Sequence, residues 1–259
     1  MNISLARQTI EALMKNGVRE FCICAGARNS PFVMSLEAGE NLTVHRFFEE
    51  RSAAFFALGR IHRDGAPVAV ITTSGTAVAE LLPAAVEATY SQLPLILVTA
   101  DRPQRYRGSG APQTIDQIGI FSHYVEKVFD ISQESQVQDF AVWSTDWTRA
   151  RPVQLNVCFE EPLLDEPVLP IAIPSGQKSH PKSHSPDMKS IEAKNPLVIV
   201  GALKQGEHKA VISTLLRWQI PVYAEALSGL RGNSELQSLL LRGGEASVSE
   251  AFQKNRARW

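Results

Sequence analysis

Several short clusters in this sequence carry residue types suited to binding or catalysis, and most follow an apolar run. Gly26-Ala27-Arg28-Asn29-Ser30-Pro31 follows the run Glu20 to Cys24. Glycine lets the backbone turn closely there, a helix start offers N–H groups to an anion, and Arg28 adds a planar fork for a carboxylate or phosphate. An ordinary strand-to-helix turn with a surface arginine fits the same residues. Ser74-Gly75-Thr76 repeats the pattern, although small hydroxyl residues at a helix start are commonly caps. No lysine follows that glycine as in a Walker A loop, and no strand is followed by G-x-G-x-x-G. Glu49-Glu50-Arg51 opens a helix, so its acids either complement the helix dipole or hold a carboxylate where it can exchange a proton with a heterocycle. Asp101-Arg102-Pro103-Gln104-Arg105-Tyr106-Arg107 forms a positive patch, continued by the polar Gln113, Asp116 and Gln117, which suits a small acidic substrate.

The elements that must position these clusters alternate between strand-like and helical patterning. Helices are expected over 4–16 and 49–61, from Pro31, from Ser74 to about Tyr90, and over 137–149. Strands are expected over 20–24, 42–47, 67–72, 93–99, 127–131 and 153–159, with a polar loop from Ala100 to Gln113. Near-continuous apolar strands alternating with helices predict an α/β fold, a mostly parallel sheet with helices on both faces. In such sheets ligands bind beyond the carboxyl ends of the strands, where these clusters fall.

The proline-rich stretch 162–195 reads as an exposed linker, which divides the chain into a domain at 1–165, a linker at 166–195 and a partial second α/β domain at 196–259. In that last part, strands are expected over 196–200 and 221–224 around a helix at 207–218, with no obvious closing element. His180 and His184 in the linker have i, i+4 spacing without a helix to present them. Cys22 and Cys24 share one side of a strand and read as packing residues, so no metal is assigned to protein side chains.

Composition narrows the class. With 26 Lys and Arg against 27 Asp and Glu, the net charge of −1 recruits neither nucleic acid nor an anionic membrane. Apolar residues at 44% and charged residues at 20% argue for a globular chain. Three cysteines give no disulfide framework. No apolar run approaches the roughly 18 residues of a membrane span, and the amino terminus reads as an amphipathic helix rather than a signal peptide. A cytoplasmic location is expected.

Taken together, Cys24 to Pro31, Phe48 to Gly59, Thr73 to Ala79, Thr99 to Pro103 and Gly110 to Gln117 resemble, in order and spacing, the amino-terminal half of the 2-succinyl-5-enolpyruvyl-6-hydroxy-3-cyclohexene-1-carboxylate (SEPHCHC) synthase family. These are the thiamine-diphosphate transferases of menaquinone biosynthesis. The resemblance implies a pyrimidine-binding domain and decarboxylation of 2-oxoglutarate with addition of the resulting carbanion equivalent to isochorismate. The family's activating glutamate, which precedes Arg in its E-R-[SG] segment, maps onto Glu50. Its substrate positions map onto Arg28, Arg102 and Gln113, and Ser74, Gly75 and Thr76 would line the cofactor pocket. Two positions depart from the family pattern, Ala27 where Ser is usual and Pro112 where Asn is usual. The family's G-D-G…N motif for Mg²⁺ and the diphosphate does not occur here. The resemblance therefore implies that both are held by another domain, in a homodimer or homotetramer or by a separate diphosphate-binding subunit, and that this chain alone is inactive. The rivals are another thiamine-diphosphate decarboxylase or carboligase, and a non-catalytic split subunit. The arginine-rich loop argues for dicarboxylates over the former, and a companion diphosphate-binding chain would discriminate the latter.

Overall fold

Within the strand Glu20–Cys24 (β1), Phe21 and Ile23 point to one face of a sheet and Cys22 and Cys24 to the other, and all four are buried. That period-2 alternation, with both faces apolar, requires helices on both sides. In the computed structural model, which describes residues 1–171, 196–203 and 206–255, they are there. The first face packs against helices Asn2–Lys15 (α1), Ser30–Glu37 (α2) and Glu134–Trp143 (α6). The second packs against Glu50–Asp64 (α3), Thr76–Ala79 (α4) and Leu82–Tyr90 (α5). Alanines on this side, including Ala53, Ala54, Ala57, Ala84, Ala85 and Ala88, let α3 and α5 lie close to the strands.

The sheet is completed by Thr43–Phe47 (β2), Val68–Thr72 (β3), Leu95–Asp101 (β4), Val128–Ile131 (β5) and Val153–Cys158 (β6). Its six strands run in the order β2-β1-β3-β4-β6-β5, every pair parallel. The chain leaves β1 for β2 on one side and returns to β3 on the other, so the order reverses between β1 and β3. In open parallel sheets a ligand crevice lies beyond the carboxyl ends of the strands at such a switch point.

Three expectations change in ways that matter for the site. The single helix expected from Ser74 to Tyr90 is broken into α4 and α5. Pro83 has no N–H to donate and its ring excludes the carbonyl of Ala79, which ends α4 there. The loop expected from Ala100 begins later, because β4 continues through Asp101 by pairing Ala100 with Val157 and Asp101 with Cys158. The helix expected over 137–149 starts earlier and stops at Trp143. The side chain of Gln136 accepts from the N–H groups of Ser132 and Gln133 at its start. The hydroxyls of Ser144 and Thr145 take the carbonyls of Ala141 and Val142 at its end.

The described chain divides into two compact units, Met1–Lys178 and Ser179–Trp259. Residues 160–171 belong to the first. Asn2 donates to the carbonyls of Glu160 and Pro162, Asp165 accepts from the N–H groups of Asn2 and Ile3, and Ile171 bridges to Gly39. From residue 172 to 195 the expected linker, with His180 and His184, lies outside the described residues. The second unit pairs Val198–Val200 (β7) with Val222–Ala224 (β8) in parallel around helix His208–Trp218 (α7). Helix Gly244–Asn255 (α8), not expected from the sequence, follows.

Candidate functional site

At the carboxyl end of β1 the turn is braced by Asn29, which is fully buried. Its Oδ1 accepts from the N–H of Gly26 at 2.8 Å and its Nδ2 donates to the carbonyl of Cys24 at 2.9 Å. Gly26 has a steric reason to be glycine, since a Cβ there would stand 2.6 Å from the Cβ of Thr73. The turns after β1 and β3 therefore touch at the switch point. Arg28 is only 7% exposed and reaches across to the chain after β6, donating to the carbonyl of Phe159 at 3.1 Å and to Glu161 at 2.9 Å.

The two acids that open α3 are used differently. Glu49 is the N-cap, its carboxylate accepting from the N–H groups of Arg51 at 3.1 Å and Ser52 at 2.7 Å and from the Ser52 hydroxyl. The Ser52 hydroxyl and these amides hold Glu49 below the usual carboxylate range. Glu50, half-buried, makes no hydrogen bond or ion pair among the described residues. It lies close enough to the end of β1 that its charge, after the larger effect of burial, helps push the Cys24 thiol up to about 12. Cys22 is likewise pushed up to about 12, by burial first, so both thiols are packed and unreactive.

Beyond β3, Ser74 is 2% exposed and Gly75 takes φ 86°, ψ −140°, a conformation costly for any other residue. The N–H of Gly75 donates to Oε1 of buried Gln117 at 2.9 Å. Gln113, itself at φ 55°, packs on Gly75 and donates to the Ser74 carbonyl at 3.4 Å. Beside it, the carbonyl of Pro112 accepts from Nε of Arg102 at 2.8 Å. The segment 112–113 thus gathers Ser74, Gly75, Gln113 and Arg102 into one group. Thr76 is exposed at the start of α4. No hydrogen bond or ion pair among the described residues joins Arg28 or Glu50 to this group.

The positive patch read from the loop after β4 is largely neutralised. Arg105 pairs with Glu160 through both nitrogens of its fork. Arg107 grips Asp130 at 2.7 Å with each terminal nitrogen and also reaches Asp101 at 3.1 Å. The bond to Asp130 raises Arg107 above its ordinary value. Burial pushes Asp130 upward, but Arg107 and Asn156 outweigh it and leave the carboxyl lowered. Arg102 has no carboxylate partner among the described residues, and its backbone N–H is fixed by Asp101 at 2.8 Å.

Comparison with known proteins shows what this arrangement is similar to. Residues 3–120 match the family described as thiamine pyrophosphate enzyme, N-terminal TPP binding domain. Over that span the chain is similar to the amino-terminal domain of thiamine-diphosphate enzymes. It is 50% identical over 97% of its length to a SEPHCHC synthase of Bdellovibrio bacteriovorus, covering 48% of that protein. It is 38% identical over 95% of its length to the SEPHCHC synthase of Akkermansia muciniphila, of which it covers 47%. A Bacillus pumilus SEPHCHC synthase is 34% identical, again with 95% of this chain and 47% of the relative aligned. The chain spans about half the length of the curated relatives it matches.

The departure at Pro112 leaves the Arg102 contact intact, because the carbonyl rather than a side chain makes it. Ala27 is exposed and offers no side-chain polar atom at the β1 turn. Sequence reasoning missed the polar residues beneath the site, Thr99, Asp130, Gln154 and Asn156. Their signal lay in Val153-Gln154-Leu155-Asn156-Val157, where polar residues alternate within a strand buried on both faces.

Proposed function

We propose that this chain provides the pyrimidine-binding half of a SEPHCHC synthase, a cytoplasmic transferase acting on 2-oxoglutarate and isochorismate in menaquinone biosynthesis. The observation that carries the reading is the uncommitted carboxylate of Glu50 at the sheet's carboxyl edge, on a chain similar to SEPHCHC synthases over nearly its whole length. A cofactor that needs a carboxylate against a heterocyclic nitrogen fits a side chain that its own helix does not use. The site also has a buried Thr72 hydroxyl, without a hydrogen-bond partner among the described residues, at the end of β3 two residues before Ser74.

Thiamine diphosphate, when bound, supplies the nucleophilic carbon that takes up a 2-oxo acid and releases CO₂. Glu50 would hold its carboxylate against the pyrimidine edge, where it could exchange a proton. Ser74, Gly75 and Thr76 line the cofactor side, with the bare Gly75 backbone allowing close approach. Arg102 and Arg28 recognise substrate carboxylates, and Gln113, packed on Gly75, presents a neutral amide beside the cofactor loop. Arg28 reaches substrate by exchanging its bond to Glu161, a carboxylate 61% exposed.

Among the described residues no group of three or more His, Cys, Asp or Glu could hold a metal ion. In our reading Mg²⁺ and the diphosphate are held by a diphosphate-binding domain in a homodimer or homotetramer, or by a separate subunit. The domain division at 1–165, 166–195 and 196–259 belongs to the same reading. The experiment is reconstitution. The chain is combined with a diphosphate-binding half from a relative, Mg²⁺ and thiamine diphosphate, and CO₂ release from 2-oxoglutarate is followed with and without isochorismate. Turnover that is lost in Glu50→Gln supports the reading, and turnover of monocarboxylic 2-oxo acids in preference to 2-oxoglutarate sinks it.

A further inference from the structure

Asn156 lies in the middle of the buried strand β6 and is fully buried. Its Nδ2 donates to Asp101 Oδ2 and to Asp130 Oδ1, each at 3.0 Å. Its Oδ1 accepts from Thr99 Oγ1 and from Gln117 Nε2, each at 2.9 Å. The opposite orientation would aim the carbonyl oxygen at two carboxylates, so the chemistry of the surroundings fixes which way the amide points. Both neighbours then pass the order outward. Gln117 accepts from the N–H of Gly75 at 2.9 Å, and Asp101 accepts from the N–H of Arg102 at 2.8 Å. A continuous path runs from the loop after β3, through Gln117, Asn156 and Asp101, to the loop after β4, and those three side chains are at most 1% exposed.

We infer that Asn156 is a positioning residue, which with Gln117 and Asp101 fixes the backbone at Gly75 and at Arg102 relative to one another. The functional consequence rests on the cofactor and substrate roles proposed above for those loops. The path itself does not. Bulk stability gives no reason for these side chains, because apolar residues of similar volume would fill the two-sided core without desolvating an amide and a carboxylate. What they reach is also telling. The ends of the path are main-chain donors of two loops, outside the sheet's own ladder. Arg107, shared between Asp101 and Asp130, holds both acids in place beneath Asn156.

The test is hydrogen exchange on the intact chain, resolved at single amides. Asn156→Leu is expected to speed exchange at Gly75 and Arg102 together, by roughly 10-fold or more, while Val98 and Leu155 within the sheet stay within about 3-fold. Should Asn156→Leu fail to fold, the smaller Asn156→Ala adds no charge beside Asp101 and Asp130 and removes the donor and the acceptor together. It is expected to free Gly75 and Arg102 as Asn156→Leu does. In the reconstituted assembly, Asn156→Leu should raise both the half-saturating cofactor concentration and the KM for 2-oxoglutarate, each by roughly 3- to 30-fold. Exchange that rises equally at every amide, or at neither loop, overturns the inference and leaves the role of Glu50 untouched. A wild-type rate in Glu50→Gln overturns the proposed chemistry and leaves the exchange pattern standing.

Discussion

Glu49 folds its carboxylate back onto the N–H groups of Arg51 and Ser52, and its neighbour Glu50, one position along the same helix start, is left with no partner among the described residues. Adjacent acids at a helix start look alike in sequence, and the helix dipole is satisfied by either. Once Glu49 is the cap, a second carboxylate is not needed for the helix. Glu49→Ala is therefore expected to lower the melting midpoint with little change in catalysis by the assembled enzyme. Glu50→Gln is expected to leave the midpoint nearly unchanged and to reduce turnover by roughly 10²-fold or more. Paired melting curves and saturating-cofactor rates check both, and a reversal of the two phenotypes would exchange their roles.

The arginines after β4 separate by partner. Among the described residues the Arg102 side chain donates only to a carbonyl, so Arg102→Ala is expected to cut kcat/KM for a dicarboxylate by roughly 10–100-fold with little loss of stability. Arg105, exposed and paired with Glu160, should change kcat/KM by no more than a few-fold when removed. Arg107→Ala leaves the fully buried Asp101 short of a donor and is expected to cost about 1–3 kcal/mol of stability. Lysine at 102 should rescue only part of the loss, since the charge stays and the fork goes. Denaturant titrations beside the kinetics distinguish the three outcomes.

Gly26 and Thr73 make a steric prediction at the switch point. A methyl at Gly26 would overlap the Cβ of Thr73, which is not the far end of a flexible chain, so one turn must move. Gly26→Ala is expected to cost about 1–3 kcal/mol, the range for overpacking in a filled interior. Gly26→Ala combined with Thr73→Gly should recover most of it. A double-mutant cycle with no coupling would mean that the two turns are not in contact in solution.

Much of this arrangement was legible in the residues, because strand position follows from apolar runs and ligand crevices follow from strand order. The turns that leave the carboxyl ends of β1, β3 and β4 drew attention to the clusters around Arg28, Ser74-Gly75 and Arg102, and the family resemblance singled out Arg28, Arg102 and Gln113. What the sequence hides is pairing over long separations. Arg107 with Asp130, Arg105 with Glu160 and Asn156 with Asp101 are each brought together only by the sheet. The loop that looks strongly basic along the chain therefore keeps Arg102 as its arginine without a carboxylate partner among the described residues. The break at Pro83 was legible in principle, and the apolar periodicity running through it concealed it.

Asp165 gives the chain an acid-sensitive fastening at the start of α1. Its carboxylate accepts from the N–H groups of Asn2 at 2.6 Å and Ile3 at 3.2 Å and pairs with the terminal ammonium at 2.6 Å. Partial burial pushes this carboxyl up, but the ammonium and the two amides outweigh it and hold it at about 2, against an ordinary 3.8. A folded value below the unfolded one means that the fastening stabilises the protein above about pH 3.8 and is lost as the pH falls toward 2. The site is close to solvent, so the contribution is on the order of 1 kcal/mol rather than the full value of the shift. Asp165→Asn keeps an acceptor for the amides and removes the charge. The wild type should exceed Asp165→Asn in unfolding free energy at neutral pH, and the difference should shrink as the pH falls from about 4 to 2 and vanish below that. Urea titrations of both proteins across that interval measure it. A difference that stays constant through the interval would mean that the charge of Asp165 does not hold the segment 160–166 on α1, which leaves the Asn2 side chain, bonded to Glu160 and Pro162, and Glu166, bonded to the N–H of Ser4.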